Sequence, residues 1–131
     1  MYPTVFTPEH ISELGPDDIF VFGSCSDGRH TQGAALTAFL RFGAIRGQSE
    51  GIQGQSYAIP TDSGSLETIS KHINRFLDLA YEWDQNTFYI TRIGCGQAGY
   101  TDSQIAPLFR RALSLYNVRL PKSFVEILRK E

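Results

Sequence analysis

The densest set of reactive side chains in this chain lies in the segment GSCSDGRHTQG, residues 23–33. The segment holds Cys25, Asp27, Arg29 and His30. A thiol becomes a nucleophile when a base or a helix N-terminus lies beside it, so Cys25 and His30 form a conceivable catalytic pair. Simpler interpretations are that Cys25 is a small, partly buried side chain and that Asp27 is a turn residue. For His30, a ligand contact, a loop-stabilising hydrogen bond and a role as general base all stay open.

A second segment, TRIGCGQAGYTDSQ at residues 91–104, places a cysteine and three glycines where an apolar strand should end and a helix should begin. Glycine permits positive φ and lets backbone N–H groups approach a ligand closely. The start of the next helix presents unpaired N–H groups and the positive end of its dipole, which favour an anion such as phosphate. The segment therefore predicts a phosphate-binding loop, with a purely structural turn as the alternative. It has neither the Lys-Ser/Thr ending of a P-loop nor GxGxxG spacing, which argues against an ordinary ATPase or dehydrogenase.

Three further side chains near these segments have two interpretations each. Arg92 could bind a ligand phosphate or pair with a loop carboxylate such as Asp62 or Asp102, because a free charge near the end of a central strand is costly to bury. Tyr57 and Tyr100 could stack on a base or a ribose, or they could pack within the core and the loop.

The composition excludes several classes of function. A length of 131 residues indicates one domain, 1–131, large enough to bury a core without a metal or a disulfide. With a net charge of −2, the chain lacks the basic surface that nucleic-acid binding requires. Its two cysteines have no metal-binding spacing, and few carboxylates lie near the loops, so we expect no metal and no cofactor. No basic leader or run of about 18 apolar residues occurs, which predicts no membrane partner and makes the cytoplasm the expected compartment. The sequence does not indicate an oligomeric state.

Alternating strands and helices should position the two segments. Apolar runs predict the strands, and three- and four-residue periodicity with capping residues predicts the helices. In the first half of the chain we expect a strand at 18–23, a helix at 34–43, a loop at 43–56 and a strand at 56–60. A helix should follow the N-cap Ser65, and a strand should follow at 87–94. We then expect a helix after a capping box formed by Thr101 and Gln104, an edge strand at 117–121, and a short helix or tail at 123–130.

This alternation predicts a three-layer α/β/α fold, with helices on both faces of a mixed, mostly parallel sheet. Right-handed crossovers bring the strand-to-helix loops of such a sheet to its carboxyl edge, where ligands usually bind. The loops at 23–33 and 94–101 should therefore share one edge.

The ordered motifs of the chain resemble those of a known family. The stretch IFVFGSCSDGRHTQGAALTAFLRFGAIRGQSEGIQGQSYAIPT, followed by TRIGCGQAGYTDSQIAPLF, resembles a family of small bacterial and bacteriophage proteins. In that family FVFGSN, an HGxGAA-like segment, GQSYAIPT and IGCGxAGY recur in this order. The family is in turn similar to the macro domain, a module that binds ADP-ribose and related nucleotides. The resemblance covers most of residues 19–109.

The resemblance implies a ligand site. It implies that residues 94–100 hold phosphate through backbone amides and that Ser24, Cys25 and residues 32–34 line a ribose. Together with the residues discussed above, the predicted ligand-binding set is Gly23, Ser24, Cys25, His30, Gln32, Gly33, Ala34, Arg92, Gly94, Cys95, Gly96, Gln97, Ala98, Gly99 and Tyr100.

The chain departs from the family pattern at several positions. Cys25 replaces the asparagine, Thr31 and Gln32 replace small residues, and Leu36 and Thr37 stand where hydrolytic macro domains have an aspartate. The early strand whose aspartate recognises adenine has no clear counterpart. These departures favour binding of the ribose-phosphate portion over hydrolysis.

Three functions follow as hypotheses. The first is a binder of ADP-ribose or a related nucleotide metabolite with little or no catalysis. The second is an ADP-ribosyl hydrolase or ADP-ribose phosphatase, in which His30 or Asp27 acts on a bound water. The third is a bacterial or phage interaction protein without a nucleotide ligand, which would act in the host cytoplasm if a phage encodes it.

Overall fold

The computed structural model describes residues 6–62, 64–94 and 98–130. Within these residues the structure has five strands, four α-helices and one 3₁₀ helix. The strands are β1 (Asp18–Ser24), β2 (Gly51–Gln53), β3 (Ser56–Pro60), β4 (Thr87–Ile90) and β5 (Val118–Arg119). The helices are α1 (Gly33–Arg41), α2 (Leu66–Glu82), α3 (Asp102–Ile105), the 3₁₀ helix (Ala106–Ser114) and α4 (Lys122–Arg129).

All five strands belong to one sheet with the order β2-β3-β1-β4-β5. β1 pairs in parallel with β3 and β4, and β4 pairs in parallel with β5. Only β2 is antiparallel, in a hairpin with β3. The predicted α/β class with a mixed, mostly parallel sheet is confirmed, and β5 lies at the predicted edge.

The side chains of β1 divide the core into two layers, because successive residues of a strand face opposite sides. Phe20 and Phe22 pack with Ala35 and Ala38 of α1 on one face. Val21 lies in the larger cluster on the other face, with residues of α2, the 3₁₀ helix and α4. Burying an apolar side chain of this size contributes about 1.5–3 kcal/mol, so both faces hold the sheet in place. Helices therefore cover both sides of the sheet.

Local signals place the starts of two helices as predicted. Ser65 caps α2, since its side chain accepts a hydrogen bond from the Thr68 N–H. Thr101 and Gln104 form the predicted capping box at the start of α3. The predicted C-terminal helix or tail is helix α4, which is held by the fully buried side chains of Phe124 and Val125.

Besides small differences at the ends of α1 and β5, three predicted elements differ in the structure. The stretch 43–56 is not entirely loop, because Ile52 pairs with Tyr57 and packs against the core, which makes β2. The strand predicted at 87–94 ends at Ile90. The helix after Thr101 is α-helical for four residues only and continues as the 3₁₀ helix. Pro107 lies where the change occurs, and its ring clashes with the carbonyl four residues earlier in a regular α-helix.

Within the described residues, no helix combines the length and the apolar character that crossing a membrane requires.

Candidate functional site

A cavity of about 580 Å³ opens at the carboxyl edge of the sheet. Its walls come from the residues that follow β1, β3 and β4 and from the start of α1. The lining residues are 23–25, 29–35, 61–62, 91–94 and 98. Because parallel strands end at the same edge, the structure brings the two predicted loop segments together around one space.

Most of the predicted ligand-binding residues lie in this lining. Those that do are Gly23, Ser24, Cys25, His30, Gln32, Gly33, Ala34, Arg92, Gly94 and Ala98. Gly99, Tyr100 and the candidate acid–base residue Asp27 do not line the cavity. Cys95, Gly96 and Gln97 fall outside the described residues.

The start of α1 opens directly into the cavity. Gln32 is the N-cap residue, and its side chain makes no capping hydrogen bond. The first turn contains no acidic residue, and Gly33, Ala34 and Ala35 all line the cavity. The first N–H groups of a helix have no intrahelical acceptor, and they form the positive end of the helix dipole. The wall formed by α1 is therefore suited to an anionic group.

The start of α3, near the same edge, is occupied by its own side chains. The Gln104 N–H donates to Thr101 Oγ1 over 3.2 Å, and the Thr101 N–H donates to Gln104 Oε1 over 2.9 Å. Asp102 stands in the first turn and forms a two-point ion pair with Arg92, with distances of 3.0 and 3.2 Å. Arg92 therefore pairs with a loop carboxylate, which is the second of its two interpretations, and that carboxylate belongs to Asp102. The side chain of Arg92 is 59 % exposed, so most of this charge remains in contact with solvent.

Asp27 lies in a tight turn. Its Oδ1 accepts from the Arg29 N–H over 3.2 Å, and its Oδ2 lies 2.7 Å from Arg29 Nε. The Gly28 N–H donates to the carbonyl of Cys25, which closes the turn. The Asp27 carboxylate raises the pKa of Arg29 above its ordinary value. Arg29, like other arginines, is cationic at the cavity. The turn interpretation of Asp27 fits these contacts.

His30 is 2 % exposed and is held by Gln48, which precedes β2, and by Gln53, the last residue of β2. Its Nε2 lies 3.0 Å from both the Gln48 carbonyl and Gln53 Oε1. The ring packs edge-on against Phe22, with centroids 5.1 Å apart. The loop-stabilising interpretation of His30 fits these contacts. Among the described residues no hydrogen bond joins His30 to Cys25, so the geometry of a nucleophile pair is not present.

Residues 43–53 support the loop at residues 23–33, a role that was not predicted from the sequence. The Gly47 N–H donates to the Gly28 carbonyl over 2.8 Å, and Ser24 Oγ donates to the carbonyl of Ser49. Gln53 is 1 % exposed, and its side chain bonds to the Gln48 carbonyl as well as to His30. The available signal was a cluster of glutamines among glycines, GQSEGIQGQ, since buried amides can satisfy an irregular backbone.

The two tyrosines pack instead of facing the cavity. Tyr57 is 4 % exposed and lies against Phe76, and burial raises its pKa to about 12. Tyr100 is half-buried and packs against the larger core cluster, while its N–H donates to the carbonyl of Gly94. The packing interpretation therefore fits both.

Gly94 has a structural reason to be glycine. Its φ is +76°, and an added Cβ would lie 2.9 Å from Cδ1 of Ile105, which is fully buried. The turn before α3 thus needs this glycine even without a ligand. Gly99 has a φ of +83° with no atom within 4 Å of an added Cβ, so its backbone conformation, and not packing, favours glycine there.

A second cavity, of about 400 Å³, adjoins the first. Ala34 and Thr91 line both cavities. The second cavity lies between residues 8–12 and one side of α1, and it reaches Phe20 and Arg41. An elongated ligand could therefore extend from the start of α1 in two directions.

Within residues 6–62, 64–94 and 98–130, no group of three or more His, Cys, Asp or Glu side chains is placed to hold a metal ion. Comparison of the chain with models of known protein families, with curated proteins and with solved structures finds no match.

Proposed function

We propose that the carboxyl-edge cavity binds ADP-ribose or a related nucleotide metabolite, with little or no catalysis. The observation that carries this proposal is the start of α1, which lacks a side-chain cap and an acidic residue and lines the cavity. A volume of about 580 Å³ lies within the range of roughly 300–1,000 Å³ that is typical of small-molecule sites.

The phosphate of this ligand lies at the first turn of α1. The backbone N–H groups of Gly33, Ala34 and Ala35 are the donors, because the first turn of α1 contains no acidic residue and Gln32 provides no side-chain cap. Arg29 and Arg92 also line the cavity, and each is paired with a carboxylate, so they add only part of a positive charge. The binding of phosphate therefore depends mainly on the backbone, as it does at other helix starts.

The parts of the ligand beyond the phosphate have space in both cavities. The exposed side chains of Thr31 and Gln32 offer hydrogen-bonding groups to a sugar within the first cavity. The adjoining cavity beside Phe20 and Arg41 offers space for a further group on the other side of Ala34. A molecule with groups on both sides of a diphosphate suits this layout.

Hydrolysis has less support than binding. Asp27 does not line the cavity, and Asp62, which does, accepts hydrogen bonds from the N–H and the hydroxyl of Ser26. Nε2 of His30 is engaged by Gln48 and Gln53. A general base needs a lone pair within reach of a water, and the remaining lone pair of His30, on Nδ1, is buried.

Titration calorimetry with ADP-ribose tests the proposal. We expect saturable heat with ADP-ribose, weaker heat with ADP and much weaker heat with adenosine, because adenosine lacks the phosphate that the helix start binds. An absence of heat and of any thermal shift at millimolar ADP-ribose would exclude this ligand. Equal binding of adenosine and ADP-ribose would contradict the role of the phosphate.

A further inference from the structure

The contacts around His30 determine which ring nitrogen carries the proton. Gln53 Oε1 accepts from the Ile45 N–H over 2.7 Å, while Gln53 Nε2 donates to the Gln48 carbonyl over 3.1 Å. The orientation of this amide is thereby set. Both groups facing His30 Nε2, the Gln48 carbonyl and Gln53 Oε1, are acceptors. Nε2 is therefore the protonated nitrogen, and in the neutral ring Nδ1 carries a lone pair.

Nδ1 of His30 is buried and has no hydrogen-bond partner among the described residues. A buried acceptor without a donor is unfavourable, and most such atoms in proteins have a partner. His30 also has a φ of +52°, the only positive φ of a non-glycine residue in the described parts of the chain. Backbone strain of this kind clusters at binding and active sites. Burial, strain and an unused lone pair thus coincide in one residue of the cavity lining.

We propose that His30 Nδ1 accepts a hydrogen bond from a hydroxyl group of the ligand. This inference rests on the proposed function and specifies it further, since it assigns a sugar hydroxyl to a named atom. His30 lies two residues before the N-cap Gln32, so the group that reaches it is attached to the phosphate at the start of α1. A phosphate oxygen is itself an acceptor and would be repelled by this lone pair, whereas a hydroxyl donates.

Gln53 is the positioning residue for this interaction. It holds Nε2–H through Oε1 and leaves Nδ1 as the acceptor, although it does not line the cavity itself. Nδ1 is buried, so the proposal requires a small shift of the loop at residues 24–32 that lets the ligand hydroxyl reach it. The cavity then distinguishes a sugar phosphate from a simple anion.

Two substitutions separate the ring nitrogens. In His30→Gln the terminal amide keeps a donor at the position of Nε2 and removes Nδ1. In His30→Asn the amide oxygen keeps an acceptor near the position of Nδ1, and asparagine tolerates the positive φ. The probes are ADP-ribose, measured by calorimetry, and sulfate, which carries no hydroxyl, measured by thermal shift.

We expect His30→Gln to weaken ADP-ribose binding by about 2- to 12-fold, the range of one net hydrogen bond, and to leave the sulfate response unchanged. His30→Asn should keep ADP-ribose within about 2-fold of the original chain, since it keeps the acceptor. Unchanged ADP-ribose binding in His30→Gln would overturn the inference and leave the proposed function intact. An equal loss for sulfate and ADP-ribose would also overturn it, because His30 would then support the fold only.

A ligand-free measurement separates failure of the inference from failure of the proposed function. Nitrogen-15 NMR of the His30 ring should show a protonated Nε2 and an unprotonated Nδ1. The opposite tautomer would overturn the inference whatever ligand binds. If ADP-ribose fails to bind the original chain, the proposed function falls and the hydroxyl assignment falls with it, while the NMR result still decides the tautomer.

Discussion

Two helices begin near the same edge of the sheet, and their starts are built differently. At α3, Thr101, Gln104 and Asp102 satisfy the backbone and the dipole from within the chain. At α1, Gln32 provides no cap, and no acidic residue stands in the first turn. A helix start that is already satisfied has little to offer an anion, while one that opens into a cavity retains its donors. The difference supports the proposal that phosphate binds at α1, rather than at the helix after the glycine-rich loop.

The strongest test of this difference introduces a side-chain cap with a negative charge at the start of α1. Gln32→Asp supplies a good N-cap and places a carboxylate where the phosphate of the ligand should lie. We expect ADP-ribose affinity to fall by about 100-fold or more, since like charges brought together cost several kcal/mol. The free energy of unfolding should rise by about 1 kcal/mol, because the cap satisfies free N–H groups. Calorimetry and urea unfolding measure the two effects.

The matched control places the same charge at another helix start. Ser65 caps α2 and does not line the cavity. Ser65→Asp should therefore leave ADP-ribose binding unchanged. Equal losses in Ser65→Asp and Gln32→Asp would point to a general effect of charge and would contradict the assignment to α1.

The glycines of the two regions should also differ in their contribution to stability. Gly94→Ala puts a methyl group 2.9 Å from Ile105 at a φ of +76°. We expect it to lower the free energy of unfolding by about 2–3 kcal/mol, from backbone strain and overpacking together. At Gly33 φ is +59°, and no atom lies within 4 Å of the methyl group that Gly33→Ala would add. Its cost should be about 1 kcal/mol, from the backbone alone. If urea unfolding showed an equal loss of free energy of unfolding in Gly94→Ala and Gly33→Ala, the turn before α3 would not be tightly packed.

Removing the cap of α3 should affect stability and leave binding unchanged. Thr101→Ala deletes the oxygen that accepts from the Gln104 N–H, so we expect a loss of about 1 kcal/mol in urea unfolding. Gln32→Ala should change stability by less than about 0.5 kcal/mol, because Gln32 makes no capping bond. If Gln32→Ala lowered the free energy of unfolding as much as Thr101→Ala does, Gln32 would also cap its helix, and the two helix starts would not differ.

The smallest effect is expected from the ion pair beside α3. Arg92→Ala should lower the free energy of unfolding by less than about 1 kcal/mol, because exposed ion pairs contribute little. The side chains of Arg92 and Asp102 are 59 % and 23 % exposed, which supports this expectation. Thermal unfolding at low and high salt measures it. A larger loss would mean that the ion pair, rather than the capping box, holds the start of α3.

Much of the fold could be predicted because its signals are local. The caps at Ser65 and Thr101 depend on residues three positions away, and the apolar runs of β1 and β3 are continuous in the sequence. The hairpin strand β2 was missed because its pairing with β3 and the packing of Ile52 outweigh the glycine content of the segment. The change from α3 to the 3₁₀ helix was missed, although Pro107 was a readable signal.

The site could be predicted in outline. Right-handed crossovers place both loops at one edge, and the cavity forms there. The hydrogen bond between Gln53 and His30 joins residues 23 positions apart. The hydrogen bond from the Gly47 N–H to the Gly28 carbonyl depends on a close approach of two backbone segments. No local pattern encodes such contacts. The assignment of phosphate to the helix after residues 94–100 stays a prediction, and the capping box at Thr101 gives it less support than α1 now has.

A crystal structure of the protein soaked with ADP-ribose tests the central claim most directly. The account predicts a phosphate group within hydrogen-bonding distance of the backbone nitrogens of Gly33, Ala34 and Ala35, with a sugar hydroxyl turned toward His30. A phosphate at the start of α3, or a ligand bound away from both helix starts, would contradict it.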